Sequence, residues 1–171
     1  MIKSDKKLKE LAMVLGKKNS LQIVQAVKSL REEESFEGAI GLLAETFDAS
    51  NDKSVLKAIS DFFNDIKDLS ARSEIIAEIR KPWNGDTISM LVSSCWQSGL
   101  DYSGFMEDLI KIFIEGDYVT SIETMTVIEV SVANISRESR DDLIKKIQDF
   151  PKAWVNDKKS LTLELISILG K

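Results

Sequence analysis

Apolar residues recur every three or four positions along almost the whole chain, and short polar or glycine breaks interrupt them at regular intervals. That period puts the apolar set on one side of an α-helix and leaves little for a strand, whose period is two. Leu8, Leu11, Ala12 and Leu15 form one stripe, with Gly16 placed to close it. Ile23, Val24, Val27 and Leu30 follow, with Asn19 and Ser20 as N-cap residues. Phe36, Ala39, Ile40, Leu43, Ala44 and Phe47 come behind Ser35. Val55, Leu56, Ile59, Phe62, Phe63 and Ile66 come after the break at 49–52. Ile75, Ile76 and Ile79 make a shorter stripe that Pro82 ends, and Asn84-Gly85 turns the chain.

The second half repeats the punctuation. Asp86 is read as the cap of a helix carrying Ile88, Leu91, Val92 and Cys95, which Gly99 closes. Asp101 is read as opening the next, with Phe105, Met106, Leu109, Ile110 and Phe113. After Gly116-Asp117 the apolar residues Val119, Ile122, Met125, Ile128 and Val132 predict a helix, and Val127 and Val130 on other sides predict that it is well covered. Ser136 caps a helix with Leu143, Ile144, Ile147 and Phe150, stopped by Pro151; Leu161, Leu165, Ile168 and Leu169 mark the last. The expectation is ten helices and no strand. The β-branched stretch 124–132 is where that expectation is most exposed.

The helices pair off. Pairs begin near residues 3, 35, 70, 102 and 136, a spacing of about 33 residues. Gly38, Leu43, Phe47, Leu56, Ile59 and Phe62 align without a gap on Gly104, Leu109, Phe113, Ile122, Met125 and Ile128. One helical hairpin of this size cannot bury its own apolar face, so neighbours must stack into a continuous core. The predicted organisation is a single all-α domain over 1–171, with units 3–34, 35–69, 70–101, 102–135 and 136–171. The alternative is an ordinary bundle whose hairpins happen to be alike in length.

Composition narrows the chemistry. The 171 residues are 43% apolar and 30% charged, too apolar for disorder, and the length favours one domain. No run reaches the roughly 18 apolar residues of a membrane span. Residues 1–7 lead into an amphipathic segment, so no secretory leader is expected. A lone cysteine, Cys95, fits a reducing compartment and a cytoplasmic location. There is no histidine, which removes Ser-His-Asp and Cys-His catalysis and histidine-ligated zinc. Charge is uneven along the chain. Residues 1–31 hold eight Lys or Arg against two Asp or Glu, 32–69 hold three against ten, and 102–135 hold one against six. Residues 70–101 hold three against four, and 136–171 hold eight against six. Basic ends around an acidic middle oppose a continuous phosphate-binding stripe, so nucleic acid is not the expected partner.

Other constellations fall to simpler explanations. Glu32-Glu33-Glu34 and Asp141-Asp142 lack the alternating ligands and glycine of a calcium loop. No glycine-rich loop precedes a Lys-Ser or Lys-Thr pair. Cys95 shares a stripe with Ile88, Leu91 and Val92 and has no base, so it is read as core. Asp101 and Asp117 follow glycines at helix starts, where a carboxylate satisfies free N–H groups. No catalytic, metal or cofactor residue is therefore expected.

The stacked hairpins resemble HEAT-like and armadillo-like repeats over essentially the whole chain. The segment Cys95-Trp96-Gln97-Ser98-Gly99-Leu100-Asp101-Tyr102-Ser103, with Ile114-Glu115-Gly116-Asp117-Tyr118, is similar to a group of short bacterial HEAT-like proteins of unassigned activity. The period is shorter than the usual HEAT length, and the first helices lack the proline that often kinks them. The resemblance implies a right-handed α-α superhelix of about five antiparallel pairs, with the second helix of each pair on the concave surface. Those helices offer Ser89, Ser93 and Gln97 in the third unit and Ser121, Glu123, Thr124 and Glu129 in the fourth. Trp96 is either core or groove. Trp83 is either an exposed anchor or a loop ring folded over the hairpin. The expected function is a non-catalytic scaffold that binds a neutral or basic protein or peptide. A HEAT-like DNA base-excision glycosylase is the enzymatic alternative, with Trp96 and Asp101 as the residue types it needs, against opposing electrostatics. A regulatory module acting by homodimer formation, the basic first unit meeting the acidic second unit of a partner chain, is the third.

Overall fold

A computed structural model describes residues 2–17, 19–32, 37–155 and 158–171, with side chains from Asp5 onward. Ser35 and Phe36, read as a cap and an apolar anchor, and Glu33 and Glu34 of the acidic run lie outside them. The described residues form ten α-helices and no strand. These are α1 (Ile2–Gly16), α2 (Ser20–Leu30), α3 (Ala39–Ala49), α4 (Lys53–Asn64) and α5 (Ala71–Ile79). They continue with α6 (Gly85–Gln97), α7 (Met106–Glu115), α8 (Tyr118–Ser131), α9 (Arg137–Gln148) and α10 (Lys158–Leu169). Short 3-10 turns cover Ser103–Phe105, Val132–Asn134 and Pro151–Trp154. The β-branched stretch is helical through Ser131.

Side-chain caps set many of these starts. Asn19 Oδ1 accepts from Gln22 N at 3.1 Å, Asp117 Oδ1 from Thr120 N at 2.8 Å and Ser136 Oγ from Ser139 N at 3.2 Å. Two expected caps are displaced. Asn84, not Asp86, caps α6, taking Thr87 N at 2.9 Å; Asp86 sits in the first turn, where the helix dipole still favours it. Asp101 takes the N–H of Ser103 at 2.8 Å ahead of the 3-10 turn, whose cap position is Tyr102, while α7 begins only at Met106. Gly99 ends α6 with φ +72°, the left-handed conformation that a side chain disfavours.

The chain gathers into two compact units, Met1–Ser98 and Gly99–Lys171. In the first, α1 packs on α3 and α3 on α5, while α2 packs on α4 and α4 on α6. Each helix also meets its hairpin partner, so two rows of helices enclose one core. Val27, Leu43, Ala44, Ile59, Phe63, Ile75, Leu91 and Cys95 are buried there. Polar ties join successive pairs at similar sequence distances. Ser20 Oγ donates to Asp52 at 2.6 Å, Asp48 accepts from Asn84 N at 2.9 Å and from Thr87 Oγ1 at 2.8 Å, and Arg31 pairs with Asp65. Asp52 also caps α4, and the hydroxyls of Ser20 and Ser54 with two backbone N–H groups hold its carboxyl well below the usual range.

The second unit obeys the same neighbour rule, with α7 on α8, α9 on α10, α7 on α9 and α8 on α10. Leu109, Phe113, Ile128, Ile147, Leu165 and Leu169 fill its core. Lys158, only 7% exposed, sends its ammonium to the carbonyls of Phe113 and Ile114, both at 3.0 Å, and of Gly116. Those are carbonyls that the end of α7 leaves without helical partners, at the negative end of its dipole. Phe150, expected in the apolar stripe of α9, is 44% exposed because α9 ends at Gln148 and Pro151 opens a separate turn.

Candidate functional site

The expected surface residues divide between α6 in the first unit and α8 in the second. On α6, Ser89, Ser93, Trp96 and Gln97 fall at i, i+4, i+7 and i+8, one face of the helix. Ser89 and Ser93 are half-buried, Gln97 is exposed and Trp96 is 37% exposed, while Cys95 beside it is fully buried. The Trp96 alternative therefore resolves toward the outside of the helix. Ser93 Oγ donates to the Met90 carbonyl at 3.1 Å, so its hydroxyl is partly engaged by its own helix. Trp83, in the loop before α6, is half-buried with its Nε1 enclosed and the Lys81 ammonium 5.8 Å from its ring. It is a ring folded partly over the hairpin rather than a free anchor.

Helix α8 reverses what its composition led us to expect. The side turned inward carries Thr120, Ser121, Thr124, Val127, Ile128 and Ser131. The side turned outward carries Tyr118, Val119, Ile122 and Val130, which are 44%, 55%, 38% and 57% exposed. Of the five apolar residues expected to bury this helix, Val119 and Ile122 face out and Ile128 faces in. Ser121 and Thr124, expected on a binding surface, are fully buried and withdrawn from it. Their hydroxyls are spent internally. Ser121 Oγ donates toward the Phe113 and Asp117 carbonyls at 2.8 and 2.7 Å, and Thr124 Oγ1 to the Thr120 carbonyl at 2.7 Å.

Close packing explains the reversal. The turn between α7 and α8 leaves no room at Gly116, where an added Cβ would stand 2.7 Å from Thr120 Cγ2 and 2.8 Å from the Ile112 carbonyl. Small hydroxyl side chains allow α8 to approach α7 and α10, and they satisfy themselves on nearby carbonyls. Tyr118, Val119, Ile122 and Val130 are left on the opposite face, while Val127 and Ile128 stay inside. Glu129 is exposed on that face and Glu123 is half-buried at its border. Asp117 precedes it, its carboxyl held below the usual range by the N–H and hydroxyl of Thr120.

Two other features lie outside the expected surface. An open cleft of about 1220 Å³ in the first unit is bounded by Leu30, Phe62, Ile66, Asp65 and Glu74. Glu74 reaches from α5 to the start of α3, accepting from Gly38 N at 3.1 Å. Burial pushes its carboxyl up, the N–H groups of Gly41 and Gly38 pull it back, and Glu78 and Glu37 add repulsion. Glu78 is 5% exposed and accepts from Lys81 Nζ at 2.7 Å through one oxygen. Among the described residues its other oxygen has no hydrogen-bond partner, and no group of three or more His, Cys, Asp or Glu could hold a metal ion. Among them, too, no helix is long and apolar enough to cross a membrane.

The chain matches no protein-family model, no curated protein and no solved structure. The outward apolar face of α8 was not legible in the sequence. The one available signal was the run of hydroxyls at 120, 121, 124 and 131, whose helical spacing marks a face of small side chains suited to close packing.

Proposed function

We propose that this chain is a non-catalytic scaffold of HEAT- or armadillo-like stacked hairpins, part of a right-handed α-α superhelix, that binds a protein or peptide partner. The observation that carries this reading is the outer face of α8, where Tyr118, Val119, Ile122 and Val130 face solvent while hydroxyls face the core. A helix that leaves four apolar side chains facing solvent has apolar surface to bury elsewhere. Glu129 on that face and Glu123 at its edge give it a negative border, which favours a neutral or basic partner. The outer stripe of α6, with Trp96 and Gln97, is the secondary contact surface. The two-row stacking of α1 to α6 supports the repeat reading, because each hairpin buries its apolar side only against its neighbours.

Affinity capture from native extract, comparing the wild type with Ile122→Ser and Glu129→Lys, tests this. Both substitutions lie on exposed positions, so the melting temperature should hold while the captured partner is lost. Equal capture by folded variants and wild type overturns the assignment.

A further inference from the structure

We infer that the outer face of α8 receives the basic α1–α2 hairpin from a second copy of this chain, an inference that rests on α8 being a binding surface. The α8 face is apolar at Tyr118, Val119, Ile122 and Val130 and acidic at Glu129 and Glu123. The segment that contains it carries the same sign, since residues 102–135 hold one Lys against six Asp or Glu. Pairing α8 with α8 of another copy would bring like charges together, so the face selects something basic with apolar side chains of its own.

The chain itself carries such a face. Met13 on α1 is 66% exposed and Leu21 on α2 is 69% exposed. Lys6 and Lys9 stand at i−7 and i−4 from Met13, Lys6 pairing with Glu10 at 3.7 Å, Lys17 follows the end of α1, and Lys28 stands at i+7 from Leu21, so lysines outnumber acids beside those two apolar side chains. Within residues 1–31 the balance is eight Lys or Arg against two acids. Exposed apolar side chains beside lysines on α1 and α2 are complementary in character and sign to exposed apolar side chains beside glutamates on α8. Helix α8 has 14 residues, about 21 Å at 1.5 Å per residue. A contact of that length falls below the ~800 Å² per partner of a standard interface, so the association is weak, concentration-dependent and salt-sensitive.

Sedimentation equilibrium of the full chain tests this with two charge-reversed variants, Glu123→Lys with Glu129→Lys, and Lys9→Glu with Lys17→Glu. For the wild type at low salt, the average mass should climb above the monomer with concentration, because each copy keeps one free face of each kind, and return to monomer near 0.5 M salt, where the Debye length is roughly 4 Å. Each variant alone should stay monomeric, because its two faces now repel. An equimolar mixture should associate again, since every α8 face then finds an α1–α2 face of opposite sign. If the double variants lose their melting transition, E129K and K17E supply the same comparison. A wild type that stays monomeric at all concentrations, a variant that still associates alone, or a mixture that stays monomeric overturns the inference. The binding role of α8 fails separately, when Ile122→Ser and Glu129→Lys leave partner capture unchanged.

Discussion

Lys158 Nζ donates to the Phe113 carbonyl at 3.0 Å, and this contact between residues 45 apart joins the start of α10 to the end of α7. The same ammonium serves Ile114 and Gly116, so one buried cation, with Ser121 Oγ also on the Phe113 carbonyl, closes the end of α7. Replacing it by methionine keeps the length of the side chain and removes every donor. Lys158→Met should cost about 2–4 kcal/mol, read as a lower urea midpoint, because the Ile114 and Gly116 carbonyls lose this donor while Phe113 keeps only Ser121 Oγ. Lys159→Met, at an exposed neighbour, should change stability by less than about 0.5 kcal/mol. Equal effects of the two would show that the ammonium is not what closes α7.

Asp48 makes a comparable tie in the first unit. Its carboxylate takes Asn84 N and the buried hydroxyl of Thr87, so the end of α3 holds the start of α6 in place. Asp48→Ala should cost about 1–2 kcal/mol in chemical denaturation. Amide exchange should quicken at Asn84, whose N–H loses its acceptor. An unchanged exchange rate there would contradict the contact.

The orientation of α8 is open to a paired test. Ile128 is fully buried and Ile122 is 38% exposed, although both belong to the stripe expected to form the core. Ile128→Ala should cost about 2–5 kcal/mol, in the range for buried aliphatic truncation. Ile122→Ala should cost less than about 1 kcal/mol. The opposite order of unfolding midpoints would mean that the helix is turned the other way.

Glu74 carries a pH dependence whose sign follows from its surroundings. Its carboxyl is raised in the folded protein, chiefly by desolvation, so folding favours the protonated form. The stability it contributes is full below the unfolded value of about 4.3 and is lost as pH rises through the folded value. Glu74→Gln keeps an acceptor for Gly38 N without the charge. The variant should therefore unfold at higher urea than wild type at pH 7, and the gain should vanish at pH 3. A gain of the same size at both pH values would assign it to packing rather than ionisation.

Much of the fold was legible because helices obey local rules. The positions of Asn19, Asp117 and Ser136 as caps, the stop at Gly99 and the ten apolar stripes follow from spacing and from groups within four residues of each other. Caps shifted where two candidates competed, as with Asn84 over Asp86, since several residues near a helix start can accept the same N–H groups. The candidate surface fared unevenly for the same reason. Ser89, Ser93, Trp96 and Gln97 share a face by helical geometry alone, whereas Ser121 and Thr124, which the HEAT-like resemblance assigns to the concave surface, lie inside.

What the sequence by itself determined is the local layer: all-helical structure, the helix count, most boundaries, and a chain without the histidines that many catalytic and zinc sites require. Tertiary structure alone decided which way α8 faces, which carbonyls Lys158 serves and how Glu74 is held over α3. The physical reason is distance along the chain. Helical periodicity and capping depend on neighbours within a turn or two. Burial, by contrast, depends on which distant surface arrives, and α8 meets α7 and α10 through the side that carries its small hydroxyls with Val127 and Ile128, leaving Tyr118, Val119, Ile122 and Val130 to the solvent.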